Sequence, residues 1–286
     1  MLTKETYFLY RKELQQNLAR LVQLEQQFMD FLVATVVEAA PALYADFSRS
    51  RDLVPAWISY APKQRGRAPV GDSYPWSEVG EKSLASNLLR AIVLRRAEVT
   101  FPGLPFGADV RCATPEAMLH IDIKMTGPRD RVDEIVAPPQ QISGDGITWE
   151  QGILNSSFWV QGQRSGFNFQ PKLPPLYVLD NHSLPCLTFF LKAIYSLRGL
   201  GEQPLEYMEI ACVPNGLLMF DGPFYAHTEG LLIPGKDDQS VRDSDKRTRL
   251  RLNPLAAIDD GWRCRQIRPR DAACTIWDSQ PRLLNS

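Results

Sequence analysis

Three histidines in 286 residues leave little room for chemistries that need them in sets. None stands in H-E-x-x-H, no serine stands in G-x-S-x-G, and no G-x-x-x-x-G-K-[ST] run occurs. The signatures of zinc peptidases, serine hydrolases and P-loop nucleotide hydrolases are therefore missing. Cysteine is equally uninformative as a site. Cys112, Cys186, Cys212, Cys264 and Cys274 are scattered and form no C-x-x-C pair, so they read as small buried hydrophobes in a reducing, cytoplasmic setting. No long apolar run suggests export or a membrane partner: the most apolar stretch, FMDFLVATVVEAA, is interrupted by Asp30 and Glu38. Charge of one sign is lacking too. With 32 Lys and Arg against 33 Asp and Glu, formal charge −1, any grip on a polyanion must come from local clusters. Internal repeats and low-complexity segments are absent.

What is present is an ordinary globular composition, 44% hydrophobic and 10% aromatic, enough to bury a sizeable core. Residues 4–46 read as an amphipathic helix, with Leu14, Leu18, Leu21, Leu24, Phe28, Phe31 and Leu32 at helical spacing. A Pro- and Gly-rich connection leads to a second helix over 76–97. Its apolar stripe of Leu84, Leu88 and Ile92 has Glu81 near its centre. A carboxylate on an inward stripe needs a partner: either it serves a site, or it makes an ion pair with Lys82 or an arginine. Strands are expected around EVTF, over ADVRC and through MLHIDIKMT. Long loops are expected over 135–175. LYVL then reads as a strand, CLTFFLKAIYSL as strand or helix, and YMEIACV as a strand that leads through PNG into LLMF in hairpin style.

The strand from Met118 carries the chemistry. At period two, Leu119, Ile121, Ile123 and Met125 share one face, and His120, Asp122, Lys124 and Thr126 share the other. Residues two apart on a strand face lie about 6.6 Å from each other, so Asp122 and Lys124 can serve one small site. Mg²⁺ is satisfied by one or two carboxylates plus phosphate oxygens. Asp109 and Asp122 could supply the carboxylates and the Ile123 carbonyl a further oxygen, while a nearby ammonium steadies developing negative charge. That set fits a metal-dependent phosphodiesterase. A cross-face ion pair between Asp122 and Lys124 is the plainer alternative.

A second cluster spans 234–252, PGKDDQSVRDSDKRTRLRL. Lys236, Asp237 and Asp238 precede Lys246, Arg247, Arg249 and Arg251, and in a strand the three arginines would share one side. Arginine and lysine match guanine O6 and N7, and aspartate accepts from cytosine N4, so the mixture suits the major-groove edge of G·C pairs. A solvated hairpin with internal ion pairs is the competing reading. The later run WRCRQIRPR would touch phosphates or a partner subunit.

Six ordered blocks, PWSEVGEK, IDIKMTGPRD, QISGDG, LPPLYVL, VPNGL and PGKDD followed by KRTRLRL, resemble the BglI family of type II restriction endonucleases. The resemblance spans roughly residues 50–255 and is weak over the N-terminal helix. It implies an α/β PD-(D/E)xK nuclease fold, a central mixed β-sheet flanked by helices, in a single domain over 1–286. Within it lie an N-terminal helical region (1–50), a nuclease core (51–255) holding the recognition segment 234–252, and a C-terminal tail (256–286). It further implies a homodimer that uses Mg²⁺ to cut both strands of GCCNNNNNGGC in double-stranded DNA, with a cognate methyltransferase as functional partner. By that resemblance the metal-binding residues fall on Asp109, Asp122 and Ile123, the catalytic lysine on Lys124 and a helix carboxylate on Glu81. Base reading falls on Lys236, Asp238, Arg247 and Arg249. One departure is that Ala108 replaces the family's proline before the first aspartate. A repair or mobile-element nuclease of the same fold, or a DNA-binding protein that no longer cuts, are the alternatives.

Overall fold

The computed structural model describes residues 2–49, 52, 76–103, 107–128, 130–150, 153–156, 169–196, 198, 203–234 and 247–282. Two N-terminal helices, α1 (Lys4–Gln15) and α2 (Leu18–Arg49), occupy the stretch expected as one. The break falls at Gln16 and Asn17, where the Asn17 side chain accepts from the Arg20 N–H (3.3 Å) and so offers the backbone an alternative to continuing α1. The third helix, α3 (Trp76–Arg95), lies where its apolar stripe predicts, with Leu84, Leu88 and Ile92 all buried.

Among the described residues twelve strands follow in chain order. They are β1 (Val110–Ala113), β2 (Met118–Thr126), β3 (Glu134–Ala137), β4 (Thr148–Glu150), β5 (Ile153–Asn155), β6 (Leu176–Leu179), β7 (His182–Tyr195), β8 (Leu205–Val213), β9 (Leu232–Pro234), β10 (Thr248–Arg251), β11 (Cys264–Pro269) and β12 (Trp277–Pro281). The main sheet runs β1–β2–β7–β8–β11–β12, with β6 also on β7. β2 and β7 are parallel and the other neighbours antiparallel. This is the mixed sheet flanked by helices that the resemblance implies. A small antiparallel sheet, β3–β10–β9, holds the described part of the basic segment.

Helix α2 lays Leu21, Phe28, Leu32, Val36 and Leu43, all buried, across β8, β11 and β12. Although long and apolar enough to cross a bilayer by length and composition alone, it buries this face on the sheet. Helix α3 packs on α2 and β2. Its approach depends on Gly80, where a Cβ would come 2.6 Å from the Phe47 ring and 2.9 Å from the Met125 methyl.

Several local expectations differ. LLMF forms a short helix, Gly216–Phe220, instead of a returning strand, because the Asn215 side chain accepts from the Leu217 N–H and caps a helical turn. EVTF contributes an isolated bridge between Thr100 and Ala113. The stretch 135–175, expected as loop, carries β3, β4 and β5. Residues 256–282 do not trail from the core: β11 and β12 complete the main sheet, with Cys264 and Ile267 fully buried.

Candidate active site

Strand β2 lies between β1 and β7, which pair with its two edges, and residues on both of its faces are buried. His120 and Asp122 are as buried as Leu119 and Ile121, whereas the alternation in the sequence suggests one open face. His120 stacks on Tyr177 (centroids 5.5 Å, 18° between planes) and burial pulls its imidazole down to about 4. It is therefore a neutral packing group at ordinary pH. On the face of His120 and Asp122, Lys124 reaches outward, with a quarter of its side chain exposed.

Register explains why a site forms at this point. β1 pairs with β2 only as far as Val110 opposite Ile121, so the edge of β2 beyond Ile121 on that side has lost its strand partner. The N–H and C=O of one strand residue point to the same edge. At Ile123 the N–H is taken by Asp109 Oδ2 (2.9 Å), and the Ile123 carbonyl faces the same open edge. Asp109, one residue before β1 begins, is thereby joined to the residue after Asp122.

Asp122 and Lys124 pair at 2.6 Å (Oδ2 to Nζ). Gln141 bridges them: its Nε2 donates to Asp122 Oδ1 while its Oε1 accepts from Lys124 Nζ (3.0 Å). An amide placed between a carboxylate and an ammonium can satisfy both in only one orientation, so it holds the pair in register. Gln141 opens the QISGDG block and had no role from sequence; the only signal for it was its membership in that block. The same block is tied to α1, where Tyr7 Oη donates to the Gly146 carbonyl (3.0 Å) and Arg11 Nε to that of Asp145 (2.8 Å).

Glu81 comes from the N-terminal half of α3. Lys82 Nζ lies 3.3 Å from Glu81 and 3.6 Å from Asp109, so Glu81 makes the expected ion pair with Lys82, which also links it to Asp109. Burial raises the Glu81 carboxyl, and the Asp109 charge adds to the rise. Burial likewise raises Asp122, to about 6, against the pull of Lys124 and with Asp109 and Glu81 adding to the rise.

Among the described residues no three His, Cys, Asp or Glu groups gather into a ready-made metal cage. Two carboxylates and a strand carbonyl nevertheless suit Mg²⁺, which keeps much of its shell as water and phosphate oxygen. Because the folded protein holds the Asp122 proton more tightly than the unfolded chain does, that contribution to stability is present below the ordinary carboxylate pKa and is lost as pH rises through about 6. A cation competes with the same proton. Mg²⁺ affinity is therefore expected to fall by up to about tenfold per pH unit below 6 and to level off above it. Isothermal titration of the metal-free protein between pH 5 and pH 8 checks this, and a flat profile contradicts it.

Of the base-reading candidates, Lys236 and Asp238 lie outside the described residues. Arg247 is exposed just ahead of β10. Arg249 lies on β10 with Nη1 donating to Glu134 Oε2 (2.8 Å). The arginines of WRCRQIRPR, expected at phosphates or a partner, each have a partner within the chain. Arg263 is fully buried, Arg265 bonds Ser279, Arg268 bonds Gln266 and covers Tyr207, and Arg270 pairs with Asp278.

A family model described as "Restriction endonuclease BglI" matches residues 3–267, taking in both N-terminal helices. The type II restriction enzyme BglI of Bacillus subtilis is 36% identical over 262 residues, 82% of this chain and 87% of that protein. A crystal structure of BglI bound to its DNA recognition sequence superposes with a TM-score of 0.81 at 33% identity, covering 92% of this chain and 96% of that one. Tetrameric SfiI bound to cognate DNA, 12% identical with a TM-score of 0.62 over 94% and 96% of the two chains, shares the fold. By a match that runs through both the sheet carrying Asp122 and Lys124 and the helices around it, this chain belongs to the BglI restriction endonuclease family.

Proposed function

We propose that the chain is a homodimeric, cytoplasmic type II restriction endonuclease that uses Mg²⁺ to hydrolyse both strands of double-stranded DNA at GCCNNNNNGGC. It leaves 5′-phosphate and 3′-hydroxyl ends, and a cognate methyltransferase protects the host. The observation that carries this reading is the Asp109 carboxylate seated on the Ile123 N–H beside the Asp122–Lys124 pair. Asp109, Asp122 and the Ile123 carbonyl would hold Mg²⁺, which supplies a bound water of lowered pKa and offsets phosphate charge. Lys124, aimed by Gln141 and Asp122, orients the attacking water and faces the negative charge that grows on the phosphate. Glu81, with its carboxyl raised by burial, stands beside this site, linked to Asp109 through Lys82. An interrupted palindrome is matched by a two-fold protein, so one recognition segment reads each half-site.

Plasmid DNA incubated with the protein and Mg²⁺ should give discrete fragments whose sequenced ends define the site and the bond cut. A smear without fixed ends would favour a repair or mobile-element nuclease, and a gel shift without cutting a binder. Replacing Arg249 by Ala should cost about 1–3 kcal/mol of discrimination at one G·C pair. Cleavage rates on duplexes substituted at each position of the half-site check this. Equal loss at all positions would make Arg249 a phosphate contact.

A further inference from the structure

Glu134 is nearly inaccessible, with 4% of its side chain exposed, and it stands at the first position of β3. Its Oε2 accepts from Arg249 Nη1 (2.8 Å) and its Oε1 pairs with Arg131 Nη1 (3.2 Å). Direct cross-strand geometry would favour another partner, because Arg251 is the residue opposite Glu134 and Arg249 is opposite Val136. Arg251 turns instead to the Gly230 carbonyl (3.3 Å). Glu134 thus selects the diagonal arginine, the one whose side chain is only 28% exposed.

Its backbone is fixed just as firmly. Lys192, 1% exposed, donates from Nζ to the carbonyls of Arg131 (3.0 Å), Val132 (2.8 Å) and Glu134 (2.8 Å). On β7 it is the register partner of Lys124. The turn leading into β3 is therefore fastened to the same sheet position as the Lys124 side chain.

We propose that Glu134 is a positioning residue for sequence recognition, which aims Arg249 at its base pair from a platform that Lys192 fastens to the catalytic sheet. A long arginine loses much rotamer freedom when it reads a base; a buried carboxylate holding one of its five N–H groups removes that freedom beforehand and leaves the rest of the fork for guanine O6 and N7. Arg131, 64% exposed, balances the second carboxylate oxygen without entering the reading geometry. This inference rests on Arg249 as a base reader and extends it to a residue that touches no DNA.

The test compares Glu134→Gln with Arg249→Ala on duplexes carrying the site found by end sequencing and on duplexes substituted at each half-site position. Glu134→Gln should lower discrimination about tenfold at the single position that Arg249→Ala affects, and leave the other positions unchanged. In the double variant the two effects should not add, because both act through one guanidinium. Uniform loss at all positions, no loss, or a gain in discrimination overturns the proposal. Should Glu134→Gln fail to fold by circular dichroism, Glu134→Asp, which keeps the charge but withdraws it from Arg249, is read by the same criterion. If Arg249→Ala itself changes no single position, the base-reading assignment fails; if it does and Glu134→Gln does not, only the positioning role fails.

Discussion

Replacing Lys124 by Ala is expected to lower the cleavage rate by about 10²–10³-fold while leaving affinity for the DNA site largely intact, the magnitude typical of deleting one preorganised charge-stabilising donor. Lys124 is held on three sides. Its Nζ pairs with Asp122 at 2.6 Å, donates to Gln141 at 3.0 Å and lies 5.8 Å from the centre of the Phe190 ring. Such an ammonium does not have to be recruited as charge develops on the phosphate. None of these partners belongs to the β3–β10–β9 sheet that carries Arg249, so the loss should fall on chemistry and spare recognition. Single-turnover cleavage, together with fluorescence anisotropy in the absence of divalent ions, separates the two quantities. Cleavage persisting within tenfold of the parent would falsify the assignment of Lys124, and a matching loss of binding would make it a DNA-docking residue.

Replacing Arg263 by Met is expected to destabilise the fold by about 3–5 kcal/mol, the cost of stranding a buried partner charge. Arg263 Nη2 meets Glu25 Oε2 at 2.8 Å with both side chains fully buried. Its Nε donates to Asp259 (2.8 Å), and its guanidinium lies 4.3 Å from the Trp262 ring centre and 5.0 Å from that of Phe224. Glu25 also accepts from the Asn215 N–H (2.6 Å), so the pair joins α2, the turn just before β11 and the turn after β8. Burial raises the Glu25 carboxyl even with the arginine beside it. Without the arginine the carboxyl rises further, and protonation becomes the way to relieve the stranded charge. A raised carboxyl stabilises the fold when protonated and loses that contribution as pH rises, so the deficit of the variant should shrink as pH is lowered. Urea melts at neutral and mildly acidic pH measure this. A second change, Glu25→Gln, should recover much of the loss, because it removes the unpaired charge. If Arg263→Met melts like the parent, the pair contributes no net stability.

Local pattern carried the active strand. Alternation placed Asp122 and Lys124 on one face of β2, where the structure finds them paired, because side-chain period along a strand is a property of neighbours in sequence. The stripe on α3 likewise placed Glu81 inward, since helical period needs no tertiary information. Asp109 could be named as a candidate, but what joins it to the site is the Ile123 N–H left free where β1 ends, a matter of strand register. Gln141 is similar: nothing about a glutamine in PPQQIS specifies that it will bridge a carboxylate and an ammonium about twenty residues earlier.

The basic segments show the boundary most clearly. Composition marked KRTRLRL and WRCRQIRPR alike as arginine-rich, yet Arg263 is sealed in the core against Glu25 and Arg249 stays partly exposed on a small sheet. Sequence alone determined the element periods, the acids and the lysine available for chemistry, and through six ordered blocks the family. Only the tertiary structure decided which arginine has an acid from a distant helix behind it, that Glu134 holds Arg249 and not the facing Arg251, and that the last strands close the main sheet. The division follows from range: periodicity is written between adjacent residues, whereas the partner of a charge is set by which strands and helices meet once the core has closed.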